Sequence, residues 1–318
     1  MILGTKGGQL RFFSDEQVLA LHNASLRVLD KTGVTMQDPR AIEAMRNAGA
    51  VVGRENQIVR IPEHLVEEAL RRTPKLVKLY GRLPGSDVIL FNDIVFNASS
   101  NNAVRVVEAN GNSRSAHIKD LEDFVRLQDA LPSVHVMQTP LTDFVDAPKE
   151  TIYRRCYQYV LKNSGKHVIN QAENAGDVRI ELAMAAAAMG WSEIEAFARQ
   201  PIFSMDCDMA PPLRLGSHTL DVMIECAKYD VPVFVETDCS AGMTAPVTTA
   251  GLVIQQNAEV LAGITLVQLI NAGCPVIYEH CPLVPDLRTG AVLTGAPERS
   301  LCSGATVQLA RRYGIPTC

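Results

Sequence analysis

Residues 231–278, VPVFVETDCSAGMTAPVTTAGLVIQQNAEVLAGITLVQLINAGCPVIY, contain the unit from which the fold can be argued. A short apolar strand, Val233–Glu236, ends in polar residues. A helix is predicted over 248–271, and the next apolar strand is Val276–Tyr278. Gly273 follows the helix, as glycine commonly does at a helix C-terminus. The stretch therefore predicts one βα unit and the start of the next.

The same unit repeats along the chain. Strand starts are spaced by roughly 30 to 40 residues, the length of one βα unit. The predicted strands are Val134–Gln138, His167–Gln171, Ile202–Asp206, Val233–Glu236, Val276–Tyr278 and Ile315–Thr317. The predicted helices span about 119–131, 149–163, 174–190, 217–229, 248–271 and 297–313. Such units in series predict a parallel sheet that closes into a TIM-type β/α barrel.

The first part of the chain predicts helices instead. Ser14 opens S-D-E-Q, a capping-box pattern, and Asp38-Pro39 combines an N-cap with proline at the first helical position. We therefore expect residues 1–86 to form an N-terminal helical extension and residues 87–318 to form the barrel.

A small β insert is expected near residues 87–118, where Asn110-Gly111 is a hairpin turn signal. We expect Ile94–Asn97 to be the first barrel strand. This gives seven strands of the eight that a barrel needs. The seventh, Ile315–Thr317, is followed by no helix in the sequence. Because an open parallel sheet would expose an unpaired edge, we expect the barrel to be C-terminally incomplete in these residues.

Composition excludes several classes of protein. Hydrophobic residues make up 47% and charged residues 20%, as in a globular enzyme. The net charge of −5, without a long basic run, argues against a nucleic-acid partner. The longest apolar stretch, Ala258–Ile270, contains Glu259 and is too short to span a membrane. Eight cysteines without CxxC spacing, and no signal peptide, predict reduced thiols in a cytoplasmic protein.

Polar side chains follow the predicted strands, at the end where barrel enzymes place their chemistry. The residues predicted to bind substrate there are Gln171, Asp206, Asp208, Glu236, Asp238 and Tyr278. So many acids favour a cation, which is either a metal ion or an organic ammonium. His280 lies beside Glu279 after the sixth strand and can carry a proton. Glu279 and His280 are therefore the candidate catalytic residues.

Cysteine offers a metal alternative. Cys207, Cys239 and Cys281 follow three consecutive strands at matching places, and with His280 or Asp238 they would make a zinc site. Their spacing is not a recognised zinc pattern, so no resident metal is expected. The chain also contains no GxGxxG, P-loop or GxSxG motif, so dinucleotide, nucleotide-phosphate and serine-hydrolase functions have no motif support.

The helix NAEVLAG, Asn257–Gly263, and the stretch around it closely resemble the trimethylamine methyltransferase family. The resemblance covers nearly the whole chain. It also includes Ile61-Pro62-Glu63, Tyr80-Gly81-Arg82, Lys166-His167, Pro201–Met205 and Tyr313–Pro316. Members of this family are similar to one another as β/α barrels. They move a methyl group from a methylated amine to the cobalt of a separate corrinoid protein.

The resemblance implies a methyltransferase of one-carbon metabolism or methanogenesis. Its substrate would be a tertiary or quaternary amine, such as trimethylamine or glycine betaine. The methyl acceptor would be the cobalamin of a partner corrinoid protein, so no cofactor is expected on this chain itself. One family branch contains pyrrolysine shortly after the strand that matches Ile315–Cys318. A homo-oligomer is expected, with no membrane partner.

Methyl transfer from a quaternary ammonium depends on positioning and electrostatics, because the amine is already a good leaving group. Carboxylates and aromatic faces suit such a cation, and Tyr278 is the favoured aromatic residue. Asn257 contacts the substrate if its helix begins near Gln255. If the helix begins at Thr248, Asn257 and Glu259 are structural supports near the site. The alternatives are a zinc-dependent barrel enzyme and a non-catalytic binder of betaine-like cations.

Overall fold

The protein is a mixed α/β structure, seen in a computed structural model that describes residues 4–53, 57–91, 93–99 and 101–318. The α-helices in chain order are α1 Asp15–Arg27, α2 Pro39–Asn47, α3 Glu63–Arg72, α4 Ile118–Ala130, α5 Ile152–Asn163, α6 Ala175–Met189, α7 Ser217–Lys228, α8 Thr249–Ile270 and α9 Pro297–Tyr313. The strands are β1 Thr5–Lys6, β2 Val34–Met36, β3 Val51–Val52, β4 Ile58–Arg60, β5 Val77–Leu79, β6 Val88–Leu90, β7 Ile94–Val95, β8 Arg105–Val107, β9 Ser113–Ser115, β10 Met137–Gln138, β11 Val168–Asn170, β12 Phe203–Met209, β13 Arg214–Leu215, β14 Val233–Thr237 and β15 Val276–Tyr278.

The chain divides into two compact units that alternate along the sequence. The first unit comprises Met1–Gly7, Lys78–Asp206 and Tyr229–Pro232. The second unit comprises Gly8–Val77, Cys207–Lys228 and Val233–Cys318. Strand β12 runs from the first unit into the second after Asp206. The division into an extension, residues 1–86, and a barrel, residues 87–318, stays a prediction.

Parallel strands form the centre of the first unit. β10 pairs with β11 and β11 with β12, in registers that start at Met137↔Val168 and Val168↔Phe203. Every residue of β11 is buried, as expected for a parallel strand covered on both faces. Tyr157 and Phe197 pack against Phe203, with ring centroids 5.1 and 4.6 Å away. The predicted strands and helices of this region are therefore present within a few residues of their expected bounds.

The expected first barrel strand, Ile94–Asn97, is wrong in its bounds. Ile94 and Val95 pair antiparallel with Lys6 and Thr5 in β1 and are 41% and 49% exposed. The parallel bridge to the β10 region lies further along, at Ala98↔Val136. The run is apolar enough for a buried strand, but pairing with the distant β1 places it at an edge. The hairpin at Asn110-Gly111 is confirmed, since β8 and β9 pair antiparallel around it.

The second unit contains the other parallel strands. β14 pairs with β15 from Val233↔Val276 to Val235↔Tyr278, and Tyr278 forms a parallel bridge to Thr317. The strands predicted at Val233–Glu236 and Val276–Tyr278 are therefore confirmed. The strand predicted at Ile315–Thr317 is reduced to this single bridge. Strands β13, β2, β4 and β3 form a separate small sheet in that order.

Helix α8 is the centre of the second unit. It packs against α1, α2, α3, α7 and α9 and against β14. The helix begins at Thr249, where the Thr248 side chain accepts a hydrogen bond from the backbone N–H of Gly251. Within the described residues it is the one helix long and apolar enough to cross a membrane, and 78% of its apolar window is buried in the protein. Packing on several sides explains why its apolar residues are not confined to one face of the helix.

Gly263 allows α8 to approach β14 closely. A Cβ atom at this position would lie 2.6 Å from Val235 Cγ1 and 3.3 Å from Met223 Cε. We expect Gly263→Ala to lower the free energy of unfolding by about 1–2 kcal/mol, because overpacking outweighs the better helix propensity of alanine. Urea denaturation measures this. The control is Gly295→Ala, where a Cβ meets no described atom within 4 Å. Equal stability of the two variants would contradict the close contact.

Candidate active site

Four carboxyl groups and one thiol lie close together in the second unit. We call these five residues the acidic cluster: Asp208, Glu236, Asp238, Glu279 and Cys281. Ligand atoms of Glu236, Asp238 and Cys281 lie within 4.8 Å of one another. A carboxylate oxygen of Glu236 also lies within 4.8 Å of one from Glu279. Asp208 is near enough for its charge to raise the pKa of both Asp238 and Glu279. The structure therefore brings together four of the acids predicted from strand ends.

Strand alternation explains how β14 contributes to the acidic cluster. Val235 faces α8, where it meets Gly263, and Thr237 faces α8, where its hydroxyl donates to Glu259. Successive side chains of a strand point to opposite faces. Glu236 therefore points away from α8, and so does Asp238, toward Cys281.

Burial, together with repulsion between carboxylates, raises the pKa values of two members of the acidic cluster, Glu279 and Asp238. Burial, with the charges of Asp208 and Asp238, raises the pKa of Glu279 to about 7 against the opposing effect of a hydrogen bond with Cys318. Partial burial of the Asp238 carboxyl, together with Asp208, also raises its pKa. The Arg299 guanidinium opposes that rise, and its Nη2 lies 3.9 Å from Cys281 Sγ. A bound cation would favour full ionisation of these carboxyls.

His280 is placed beside the acidic cluster in its neutral form. Burial, with the charge of Arg299, lowers the pKa of His280 to about 4 against the opposing effect of a hydrogen bond with the Cys318 backbone. Its Nδ1 has no hydrogen-bond partner among the described residues. Burial and the nearby Asp238 raise the pKa of the Cys281 thiol to about 12. At neutral pH His280 is therefore a neutral imidazole that can accept a hydrogen bond, and Cys281 is a thiol.

Tyr278 and Asn257 are fully buried, and their side chains are hydrogen-bonded to each other. The Tyr278 hydroxyl donates to Asn257 Oδ1 at 3.0 Å, and Asn257 Nδ2 donates to the Tyr313 hydroxyl at 2.9 Å. Tyr313 lies 3.0 Å from His22 Nδ1, and His22 Nε2 lies 2.9 Å from Glu67 Oε1. Since α8 begins at Thr249, Asn257 has the position expected of a support. Direct contact of Tyr278 or Asn257 with substrate stays a prediction.

The buried His22 should make stability depend on pH. Burial lowers the pKa of His22, and Arg312 lowers it too, whereas Glu67 and Glu63 oppose them. The unfolded chain therefore binds a proton more readily, so this contribution to stability is present above about pH 6.5 and is lost as the pH falls. We expect urea midpoints at pH 7.5 and 5.5 to differ less in His22→Gln than in wild type.

The control for His22 is His64→Gln, which changes an exposed histidine on α3. This variant should keep the pH dependence of wild type. An identical response of all three proteins would contradict the role assigned to His22.

Glu259 is also fully buried and is bonded within the second unit. Its carboxyl accepts hydrogen bonds from Leu213 N at 2.7 Å, Gln255 Nε2 at 2.9 Å and the Thr237 hydroxyl. The Cys239 thiol also donates to it, at 3.6 Å. Burial raises the pKa of Glu259, and the bonds from Thr237, Leu213 and Gln255 oppose that rise. These contacts agree with the supporting role predicted for Glu259.

The three cysteines of the zinc alternative are not brought together as a group in the described residues. The Cys239 thiol donates to Glu259 on the α8 side of the strand end. Cys281 instead lies with Glu236 and Asp238, whose side chains point away from α8. Cys207 is buried and belongs to neither contact. Equivalent positions after three strands did not bring the three cysteines together, because the side chains that follow a strand do not all point to the same face of the sheet.

The first unit brings together the other two predicted residues. Gln171, which follows the last residue of β11, donates from Nε2 to Oδ2 of Asp206 in the middle of β12, at 3.2 Å. Asp206 is 8% exposed. Sequence analysis did not single out Glu181, a fully buried acid on α6 whose two carboxyl oxygens have no hydrogen-bond partner among the described residues. Burial raises the pKa of Glu181 well above its usual range. The one available signal was a glutamate within the alanine-rich run of α6.

Comparison with known proteins identifies the family. The family model described as "Trimethylamine methyltransferase (MTTB)" matches residues 3–318 of the chain. The chain is 28% identical over 313 residues to the trimethylamine methyltransferase MttB of Desulfitobacterium hafniense strain DSM 10664 / DCB-2, covering 98% of this chain and 62% of that protein. It is 29% identical over 304 residues to the glycine betaine methyltransferase of strain Y51, covering 96% and 63%. The chain therefore spans less than two thirds of the length of these relatives.

Solved structures show the same fold. The hydroxylamine complex of MtmB has a TM-score of 0.59 at 13% identity, covering 97% of this chain and 63% of that one. The monomethylamine methyltransferase MtmB of Methanosarcina barkeri has a TM-score of 0.52 at 14% identity, covering 99% and 68%. At these identities the likeness concerns the fold alone. The family match over nearly every residue is the stronger finding, and by it the chain belongs to the trimethylamine methyltransferase family.

Proposed function

We propose that the protein is a corrinoid-dependent methyltransferase. It transfers a methyl group from a tertiary or quaternary amine, such as trimethylamine or glycine betaine, to the cobalt of a partner corrinoid protein. The acidic cluster, Asp208, Glu236, Asp238, Glu279 and Cys281, is the observation that carries this proposal. Family membership supports it. A cytoplasmic protein with a TIM-type barrel belongs to the same proposal, supported by the parallel strands and the likeness to MtmB.

The chemistry follows from the charges. A methylated ammonium is attracted to Glu236 and Asp238, and its positive charge favours ionisation of Glu279. The substrate C–N bond breaks with its electron pair passing to nitrogen, and the methyl carbon bonds to cobalt. Holding that bond in line with the metal is the main task of the protein. Glu279, with a pKa of about 7, and neutral His280 can accept a hydrogen bond from the N–H of a protonated tertiary amine.

The test combines the protein, a corrinoid protein reduced to cob(I)alamin, and one methylated amine at a time. We expect the cob(I)alamin absorbance to be replaced by that of methylcobalamin with at least one substrate. Binding without methylation would support a non-catalytic binder of betaine-like cations instead. Neither binding nor methylation with trimethylamine, glycine betaine or related amines would refute the proposal.

A zinc-dependent enzyme is the second candidate function. Glu236, Asp238 and Cys281 offer ligand atoms within 4.8 Å of one another, a set that zinc can use. Metal analysis of the purified protein distinguishes the two. Stoichiometric zinc, lost together with activity in Cys281→Ser, would favour this candidate over the corrinoid mechanism.

A further inference from the structure

The Glu259 carboxyl connects separate parts of the second unit. Its four donors come from the chain after β12, from the end of β14, from the loop after β14 and from α8 itself. A carboxylate has about four acceptor positions, so these donors use all of them. Losing one of these donors would leave a buried carboxyl oxygen unsatisfied, which costs free energy. The carboxyl therefore holds its four donors in fixed positions.

We propose that Glu259 is a positioning residue for the acidic cluster. By holding Thr237 on the α8 side of β14, it fixes the direction in which Glu236 and Asp238 point on the other side. Only the binding part of this inference rests on the proposed function.

The position of Thr237 carries the inference. β14 pairs with β15 from Val233 to Val235 and ends at Thr237, so Glu236 is the penultimate residue of the strand and Asp238 follows it. Thr237 lies between these two acids, and its hydroxyl donates to Glu259. Because alternate side chains point to opposite faces, fixing Thr237 toward α8 fixes both neighbours away from it.

Two matched threonine variants test this. Thr237→Val removes the donor to Glu259, whereas Thr265→Val removes a hydroxyl that donates within α8, to Leu261 O at 2.7 Å. Both threonines are fully buried, and both changes keep the side-chain shape. We choose these variants instead of Glu259→Ala, because removing the buried carboxyl risks unfolding the second unit. Thr237→Ser keeps the hydroxyl and serves as the rescue variant.

We expect Thr237→Val to weaken binding of tetramethylammonium, measured by calorimetry, about tenfold, or about 1.4 kcal/mol. Thr265→Val and Thr237→Ser should bind as wild type does. The free energies of unfolding of the two valine variants should be similar, so the difference in binding separates positioning from general destabilisation. Equal affinities of Thr237→Val and Thr265→Val would overturn the inference.

A second measurement needs no ligand. The carboxyl carbon signals of Glu236 and Asp238 in carbon-13 NMR should shift in Thr237→Val and stay in place in Thr265→Val. Unchanged signals in both variants would overturn the positioning role. If wild type binds neither tetramethylammonium nor any of the methylated amines while the signals still shift as expected, the proposed function fails and the positioning role stands.

Discussion

Replacing Asn257 by alanine is expected to lower the free energy of unfolding by about 3–5 kcal/mol. Asn257 accepts from the Tyr278 hydroxyl and donates to the Tyr313 hydroxyl, and all three side chains are buried. The variant leaves a cavity and two hydroxyls without their partner, and each unsatisfied buried group costs about 1–3 kcal/mol. Urea denaturation followed by circular dichroism measures the loss.

The matched control for Asn257 is Asn23→Ala, on the exposed face of α1. This variant should stay within about 0.5 kcal/mol of wild type, as surface substitutions usually do. A loss of the same size in both variants would show that the buried hydrogen bonds contribute little to stability.

The double variant Glu236→Gln, Asp238→Asn is expected to weaken tetramethylammonium binding by about 2–4 kcal/mol, or roughly 30- to 1,000-fold. The changes keep size and shape but remove two negative charges from the acidic cluster. Tetramethylammonium has no N–H group, so charge rather than hydrogen bonding is what the variant alters. Calorimetry at constant ionic strength measures the affinity.

The control for this variant is Glu298→Gln, an exposed acid in the first turn of α9. It removes a charge of the same sign from the same unit, and its affinity should stay within about twofold of wild type because surface charges are screened by salt. Unchanged affinity of the double variant would remove Glu236 and Asp238 from the site.

The βα units could be predicted from the sequence because their signals are local. The helix expected over 174–190 is Ala175–Met189, and the helix expected over 297–313 is Pro297–Tyr313. Caps and periodicity within each segment decide such bounds. The expected strand Ile94–Asn97 failed because its partner, β1, lies about 90 residues away in the chain. No local pattern identifies that partner.

The acidic cluster was predictable for a related reason. Parallel strands bring their C-terminal ends together, so acids that follow β14 and β15 become neighbours. The contacts on the α8 side of the same strand ends could not be predicted from the sequence. Cys239 was a metal ligand only in the zinc alternative, and its thiol donates to Glu259, because the direction of a side chain beyond the end of a strand depends on its tertiary contacts. Glu259 itself was expected to be a support, but its donors Leu213 and Gln255 were not foreseen.

The interleaved composition of the second unit has a consequence for synthesis. Helices α1 and α3 pack against α8, but 176 residues separate Arg72 from Thr249. Ribosomes add roughly 5–20 residues per second, so about 10–35 s pass between the emergence of α3 and that of α8. During this time the apolar faces that α8 later covers stay exposed to solvent. Nascent chains of this protein are therefore expected to need chaperone protection in that interval, before the core helix arrives.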